Sequence, residues 1–278
     1  MAEEKEVSSD LKTAEKPEEN NSIPKKTPKK HTARNIFIGL FIALILLITG
    51  PVLIAGYFGL VPGLSTLMGV NKPKDLNVTY TQADYQSFLA KTKTNLQDFA
   101  NAPANPEKPN KKVVFADPVT ANNVPISQEE LTAAINESGW VWMPIDNAQV
   151  KISDGIVEMS GNLKLDNIAN FVGFIGGVGY SQSDIDTAVS WAKRFINNSP
   201  IYIKANGSVT NNQLQLTVQE FKIGRYNVPA DIAQTVLQAG TQSAIKNTPL
   251  LSAQSATLTN GALVFTGTHP STIYVKTQ

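Results

Sequence analysis

The chain has 278 residues, 24 basic and 23 acidic side chains, two histidines and no cysteine, giving a formal net charge of +1. Near-neutrality argues against nucleic acid or any strongly charged polymer as partner. The lack of cysteine excludes disulfides, thiolate metal sites, cysteine nucleophiles and a lipoprotein anchor, and two histidines leave imidazole chemistry poorly supplied.

Residues 1–34 read as a disordered cytoplasmic tail. They are rich in Glu, Lys, Ser and Pro, with Val7, Leu11 and Ile23 as the only large aliphatics, too little apolar surface to offset the entropy of ordering. Lys25, Lys26, Lys29, Lys30 and Arg34 close this tail. No charge then occurs until Lys72.

The run Ile36 to Tyr57 holds 14 Leu, Ile, Val or Phe residues. As a helix it would be roughly 33 Å long, enough to cross a bilayer core of about 30 Å. Its insertion is favourable by roughly 4 to 8 kcal/mol, reduced by Gly39, Gly50, Gly56 and Pro51. The sequence therefore predicts one uncleaved transmembrane helix over 35–58, marked by Ile36, Leu40, Leu44, Leu47, Pro51, Ile54 and Tyr57. It is too long for a signal-peptide core. The basic flank places the N-terminus in the cytoplasm and the rest of the chain outside the plasma membrane. Residues 59–75 read as a juxtamembrane linker.

Residues 76–278 read as one extracytoplasmic domain, with 16 basic and 16 acidic residues from Lys72 onward. Leu76 to Thr81 alternates like a short strand. Thr81-Gln82-Ala83-Asp84 and Ser127-Gln128-Glu129-Glu130 each resemble a capping box at a helix start. A proline-rich linker lies near 100–112. Ile152–Gly161 and Leu258–Gly267 match as hairpins about Asp154-Gly155 and Asn260-Gly261, and Val209–Leu216 is a looser copy about Asn211-Asn212. The apolar phase after Leu214, Leu216 and Val218 shifts at Gln219-Glu220, which signals a bulge that bends the sheet. Three further helices are expected. One lies within Asn167–Gly179 and one spans about Ser183–Asn197. The third starts at Pro229 and carries Ile232, Val236, Leu237, Gly240 and Ala244 on one face.

The predicted fold class is α+β: one N-terminal transmembrane helix, then a curved antiparallel sheet of hairpins packed with amphipathic helices. Trp140 and Trp142 flank Val141 and so share a face if the segment is a strand. Trp191 falls on a helix. The apolar stretch with Phe171, Phe174, Ile175 and Tyr180 is either packed core or a lip that admits a lipid chain. These seven are the candidate ligand-binding residues. Gly173, Gly176, Gly177 and Gly179 lack the following Lys-Ser/Thr of a phosphate loop. His269, beside Pro270, reads as a surface loop residue.

Three passages carry a family resemblance. Val124–Leu131 resembles a strand-to-helix start of the form V-x-I-S/T-x-x-E-L. ISDGIVEMSG and TNGALVFTG resemble the hairpins of the same proteins, and Phe221–Pro229 resembles their passage into a long helix. Together, over Val124–Gly267, the chain resembles anchored bacterial envelope proteins with a tubular lipid-binding (TULIP-like) outer domain. That resemblance implies a curved sheet around a long helix and binding of acyl chains; it carries over no functional residues. The expected function is a membrane-anchored, non-enzymatic protein that binds a lipid or another apolar ligand, with membrane lipid as partner and no cofactor or metal. The alternative is a structural module that binds another envelope protein.

Overall fold

The computed structural model describes residues 47, 49, 51–57, 62–69, 72–104, 113–175, 181–196 and 198–277. The disordered tail, the span residues Ile36, Leu40 and Leu44, most of the 100–112 linker and Tyr180 lie outside the described residues. Two compact units divide the chain after Leu47, and apart from Leu47 itself every residue described below belongs to the second, Ile48–Gln278.

The expected membrane-spanning helix is corrected. Among the described residues no helix is long and apolar enough to cross a membrane. Leu47, Pro51, Ile54 and Tyr57 are helical, and a short helix α1 (Pro62–Leu67) packs against residues 51–57. Ser65, fully buried, donates its hydroxyl to the Gly56 carbonyl at 3.0 Å. A Cβ on Gly56 would stand 2.4 Å from the Leu64 side chain. Gly56 thus admits α1, and Pro62 opens it. The supposed linker 59–75 contains this helix.

The rest is α+β, built on one mixed sheet of nine strands. In chain order the elements are α2 (Gln82–Lys91), β1 (Asn95–Asp98), β2 (Val113–Ser127), α3 (Gln128–Glu137), β3 (Ile145–Ser153) and β4 (Ile156–Leu163). They continue with α4 (Leu165–Phe174), α5 (Gln182–Ile196), β5 (Pro200–Thr210), β6 (Gln213–Ile223), β7 (Tyr226–Asn227), α6 (Ala230–Asn247), β8 (Ser252–Thr259) and β9 (Ala262–Val275). The expectation of a purely antiparallel sheet is also corrected, because β1 pairs in parallel with the end of β9, Asn95 opposite Thr272 through Asp98 opposite Val275. That pairing joins segments about 175 residues apart, beyond the reach of any local pattern.

Strand β5 is where the sheet divides. β6 pairs along one side of it. On the other side β4 pairs from Pro200 to Asn206, and β8 takes over from Ser208 to Thr210. Gly207 sits at the fork. A Cβ there would lie 2.6 Å from the Gln215 carbonyl oxygen, so only glycine fits. Register shifts in β2, β3, β8 and at Gln219 of β6 add bends.

Two of the three hairpin turns form as the sequence predicts, while at Asn260-Gly261 only Gly261 takes positive φ, +77°. Asp154 and Gly155 have φ of +52° and +74°, and Asn211 and Asn212 have +50° and +63°, as a type I′ turn requires. Both capping boxes form. In the second, Ser127 N–H donates to Glu130 Oε2 at 2.8 Å and Glu130 N–H to Ser127 Oγ at 3.2 Å.

Two helices cover the free edges of the sheet by one device. On α3, Gln128 and Asn136 accept the Ile152 and Ala148 N–H groups through their side-chain oxygens, and the Thr132 hydroxyl accepts that of Val150, each at 3.0 Å. On α6, Gln234 accepts Val218 N–H (2.8 Å) and donates to Leu216 O (2.7 Å). Gln238 donates to Leu214 O (2.9 Å), and Gln242 accepts Leu214 N–H (2.8 Å) and donates to Asn212 O (2.9 Å). Four helical residues rise about 6.0 Å and two strand residues about 6.8 Å. Polar side chains at i, i+4 and i+8 therefore meet alternate strand residues and satisfy an edge otherwise open to pairing.

Four local expectations are corrected. Leu76 to Thr81 is not a strand: Asn77 takes φ +57° and breaks the extension, while Leu76 and Val78 are buried against Tyr202. Trp140–Trp142 is a bridge and turn, closed by Met143 N–H donating to Trp140 O at 2.9 Å. His269 lies within β9, paired with Val119. On α6 the inward stripe passes through Ala233 and Leu237, while Ile232 and Val236 are 51% and 56% exposed; the glutamine row fixes the helix at that rotation.

Candidate functional site

The domain holds two apolar regions of different character. Four of the seven sequence-derived residues meet in the first. The Trp140 ring lies 5.1 Å from Phe174, 6.0 Å from Phe171 and 6.0 Å from Trp142, and Phe115 joins Phe174 at 6.0 Å. Trp140 packs edge-on against Phe171 and Phe174, the favourable arrangement for aromatic quadrupoles. Val113 and Val275 complete a buried cluster with Trp140. The space left beside it is about 170 Å³, below the roughly 300 Å³ where ligand pockets begin. Ile175 is buried at the end of α4, where Ser243 Oγ and Asn247 Nδ2 of α6 donate to its carbonyl at 2.5 and 2.7 Å. Trp191 is in α5, away in sequence from the cluster.

The second region is a groove of about 310 Å³ along the fork of the sheet. The register stacks its lining. Met159 opposes Ile203 and Val157 opposes Ala205; Val209 stands between Leu214 and Ala256; Leu258 opposes Leu263. Leu237 and Thr241 of α6 close the far side, and no charged residue lines it. Apart from Ala205 and Val209, these aliphatic side chains are only half-buried. They are aimed inward by the period-two alternation and not fully covered. None was singled out as a site residue from sequence. The signal available was the shared inward phase of the hairpin copies, together with Gln234, Gln238 and Gln242 spaced by four beside an apolar stripe.

The opposite faces of β4 and β5 carry a charged cluster. Tyr202 Oη donates to Glu158, whose carboxylate also pairs with Lys74 at 3.2 Å, and the Lys74 ammonium stands 3.7 Å over the Tyr202 ring. The Tyr202 hydrogen bond, then Lys74, hold the Glu158 carboxyl below the usual glutamate range. A second carboxylate, Glu130, is only 3% exposed and ties α2 to α3. Lys91 pairs with it at 2.8 Å and Ser87 donates to it at 2.5 Å. Burial opposes its ionisation, but Lys91, Ser87 and the Ser127 N–H outweigh that and lower its pKa. Both clusters join elements, and Lys74 and Tyr202 of the first also line a cavity at the start of β5. Among the described residues no three His, Cys, Asp or Glu side chains are placed to hold a metal ion.

No family model, curated protein or solved structure matches the chain.

Proposed function

We propose that the protein binds a lipid or another apolar ligand in the fork groove, and that it works in the cell envelope at the outer side of the plasma membrane. The groove carries this reading. It offers about 310 Å³ lined by aliphatic side chains of five strands and one helix, with no charge to desolvate. The wall formed by α6 is held to the β6 edge through neutral amides, so it too brings no charge to the groove. Envelope location is proposed from the long uncharged, apolar stretch between Arg34 and Lys72 and the exposed Leu53, Ile54 and Leu67 side chains, and the resemblance to tubular lipid-binding domains agrees with an acyl chain as ligand.

The experiment is native mass spectrometry and solvent extraction of the full chain purified from its own membranes in mild detergent. An apolar ligand should co-purify in near-stoichiometric amount and be lost from an Ala205→Phe variant. A ligand-free wild-type protein would remove the reading.

One observation favours a second reading, a module that docks another envelope protein. Ile232 and Val236 form an exposed apolar pair one turn apart on the outside of α6. Crosslinking from Val236 in intact cells would then capture a protein and leave the groove empty of ligand.

A further inference from the structure

A third cavity, of about 290 Å³, opens at the start of β5 and the end of β6, and its charge is of one sign. It is lined by Lys72, Lys74, Lys222 and Arg225, with Tyr202 and the Gly224 turn between them. Glu158 answers Lys74, and Glu220 pairs with Lys222. Among the described residues Lys72 and Arg225 have no carboxylate partner, so the cavity retains about two positive charges.

This cavity adjoins the most exposed apolar surface among the described residues. The Arg225 guanidinium stacks on Tyr57 at 4.4 Å, and Gly69, just beyond α1, forms part of the cavity wall. On the same helical pair Leu53, Ile54 and Tyr57 are about half exposed and Leu67 is 84% exposed. A cationic cleft bordered by uncovered Leu, Ile and Tyr side chains matches a bilayer interface. There phosphate and acyl boundary lie side by side, and a tyrosine with one apolar and one wet end suits that depth.

We infer that this cleft is a binding site for the phosphate of an anionic lipid headgroup, with Lys72 and Arg225 as the ligating cations and residues 51–57 and 62–67 resting in the lipid surface. It is separate from the groove, lying beside Tyr202, whose side chain points away from Ile203 and Ala205. Arg225 supplies a planar fork that binds phosphate oxygens in pairs, and Lys72 adds a mobile point charge.

The test is native mass spectrometry of the full chain in neutral detergent, titrated with phosphatidylglycerol and, separately, phosphatidylcholine. The uncharged groove selects no headgroup, so the ratio of the two affinities reads the cleft alone. Wild type should prefer the anionic lipid. The Lys72→Gln/Arg225→Gln variant should lose about fivefold of that preference for each charge removed. A charge-preserving Lys72→Arg/Arg225→Lys variant should keep most of it, and neutralising the exposed Lys246 and Lys276 instead should change nothing. Equal preference in wild type and the double neutral variant would overturn the inference. So would a loss matched by the Lys246/Lys276 control, or full displacement of the lipid by millimolar inorganic phosphate, which would make this a small-anion site.

Discussion

The aromatic cluster around Trp140 and the groove at the β5 fork are both apolar, yet they are finished differently. The first is closed by side chains from β2, β9, α4 and the 140–143 turn, with rings in edge-on contact. The second has its aliphatic rows in register, but its lid, α6, is fastened through glutamines to one strand edge instead of being keyed into the rows. Apolar composition alone does not separate a core from a binding site. The manner of closure does.

Four substitutions or conditions sharpen the contrast. The largest stability loss belongs to the cluster: Trp140→Ala should cost about 3 to 5 kcal/mol in denaturant unfolding, since it leaves a cavity among packed rings. A loss below about 1 kcal/mol would show the cluster to be loosely packed. Next is the lid fastening. Replacing Gln234, Gln238 and Gln242 together by Ala should cost about 2 to 4 kcal/mol at roughly 1 kcal/mol for each hydrogen-bonding side chain. Hydrogen exchange should rise in α6 and β6 but not in β2. Uniform exchange throughout the domain would mean α6 is integral to the core.

Acid comes third. Glu130 and Glu158 have folded pKa values held below the ordinary glutamate value. They therefore contribute stability that is complete above the unfolded value of about 4.5 and fades as pH falls through the folded one. Glu130→Ala should cost about 2 kcal/mol at pH 7 through its lost cap and ion-pair hydrogen bonds, and should flatten the profile below pH about 4.5. The smallest stability effect is expected in the groove: Ala205→Phe should change unfolding by about 1 kcal/mol or less while abolishing ligand retention. A cost of several kcal/mol would show that the groove is already full.

What was legible in the sequence was local. Asp-Gly and Asn-Asn turns, the boxes at Thr81 and Ser127, the extra residue at Gln219, the presence of α4 and the approximate extents of α5 and α6 each depend on a few adjacent residues whose backbone preferences agree. The parallel β1–β9 pairing, the division of β5 between β4 and β8, and the groove were not, because each is made by strands distant in the chain. The stripe on α6 was misread for a related reason. Hydrophobic spacing alone favours Ile232 and Val236, whereas the helix is turned by amides that reach a strand edge no periodicity encodes. The Trp140-Val141-Trp142 run looked like a strand by alternation, yet it turns so that the two indoles stand 6.0 Å apart and Trp140 meets the α4 rings. The apolar run ending at Tyr57 was read as a single long span, and the packing made possible by Gly56 and Pro62 was overlooked.

The most direct test of the central claim is site-specific photocrosslinking in cells. A photoreactive amino acid would replace Leu216 inside the groove and, in a parallel strain, Ile232 on the outer surface of α6. The account predicts an acyl-bearing or similarly apolar small-molecule adduct at position 216 and none at 232. Small-molecule adducts absent from 216, with a protein adduct at 232, would contradict it.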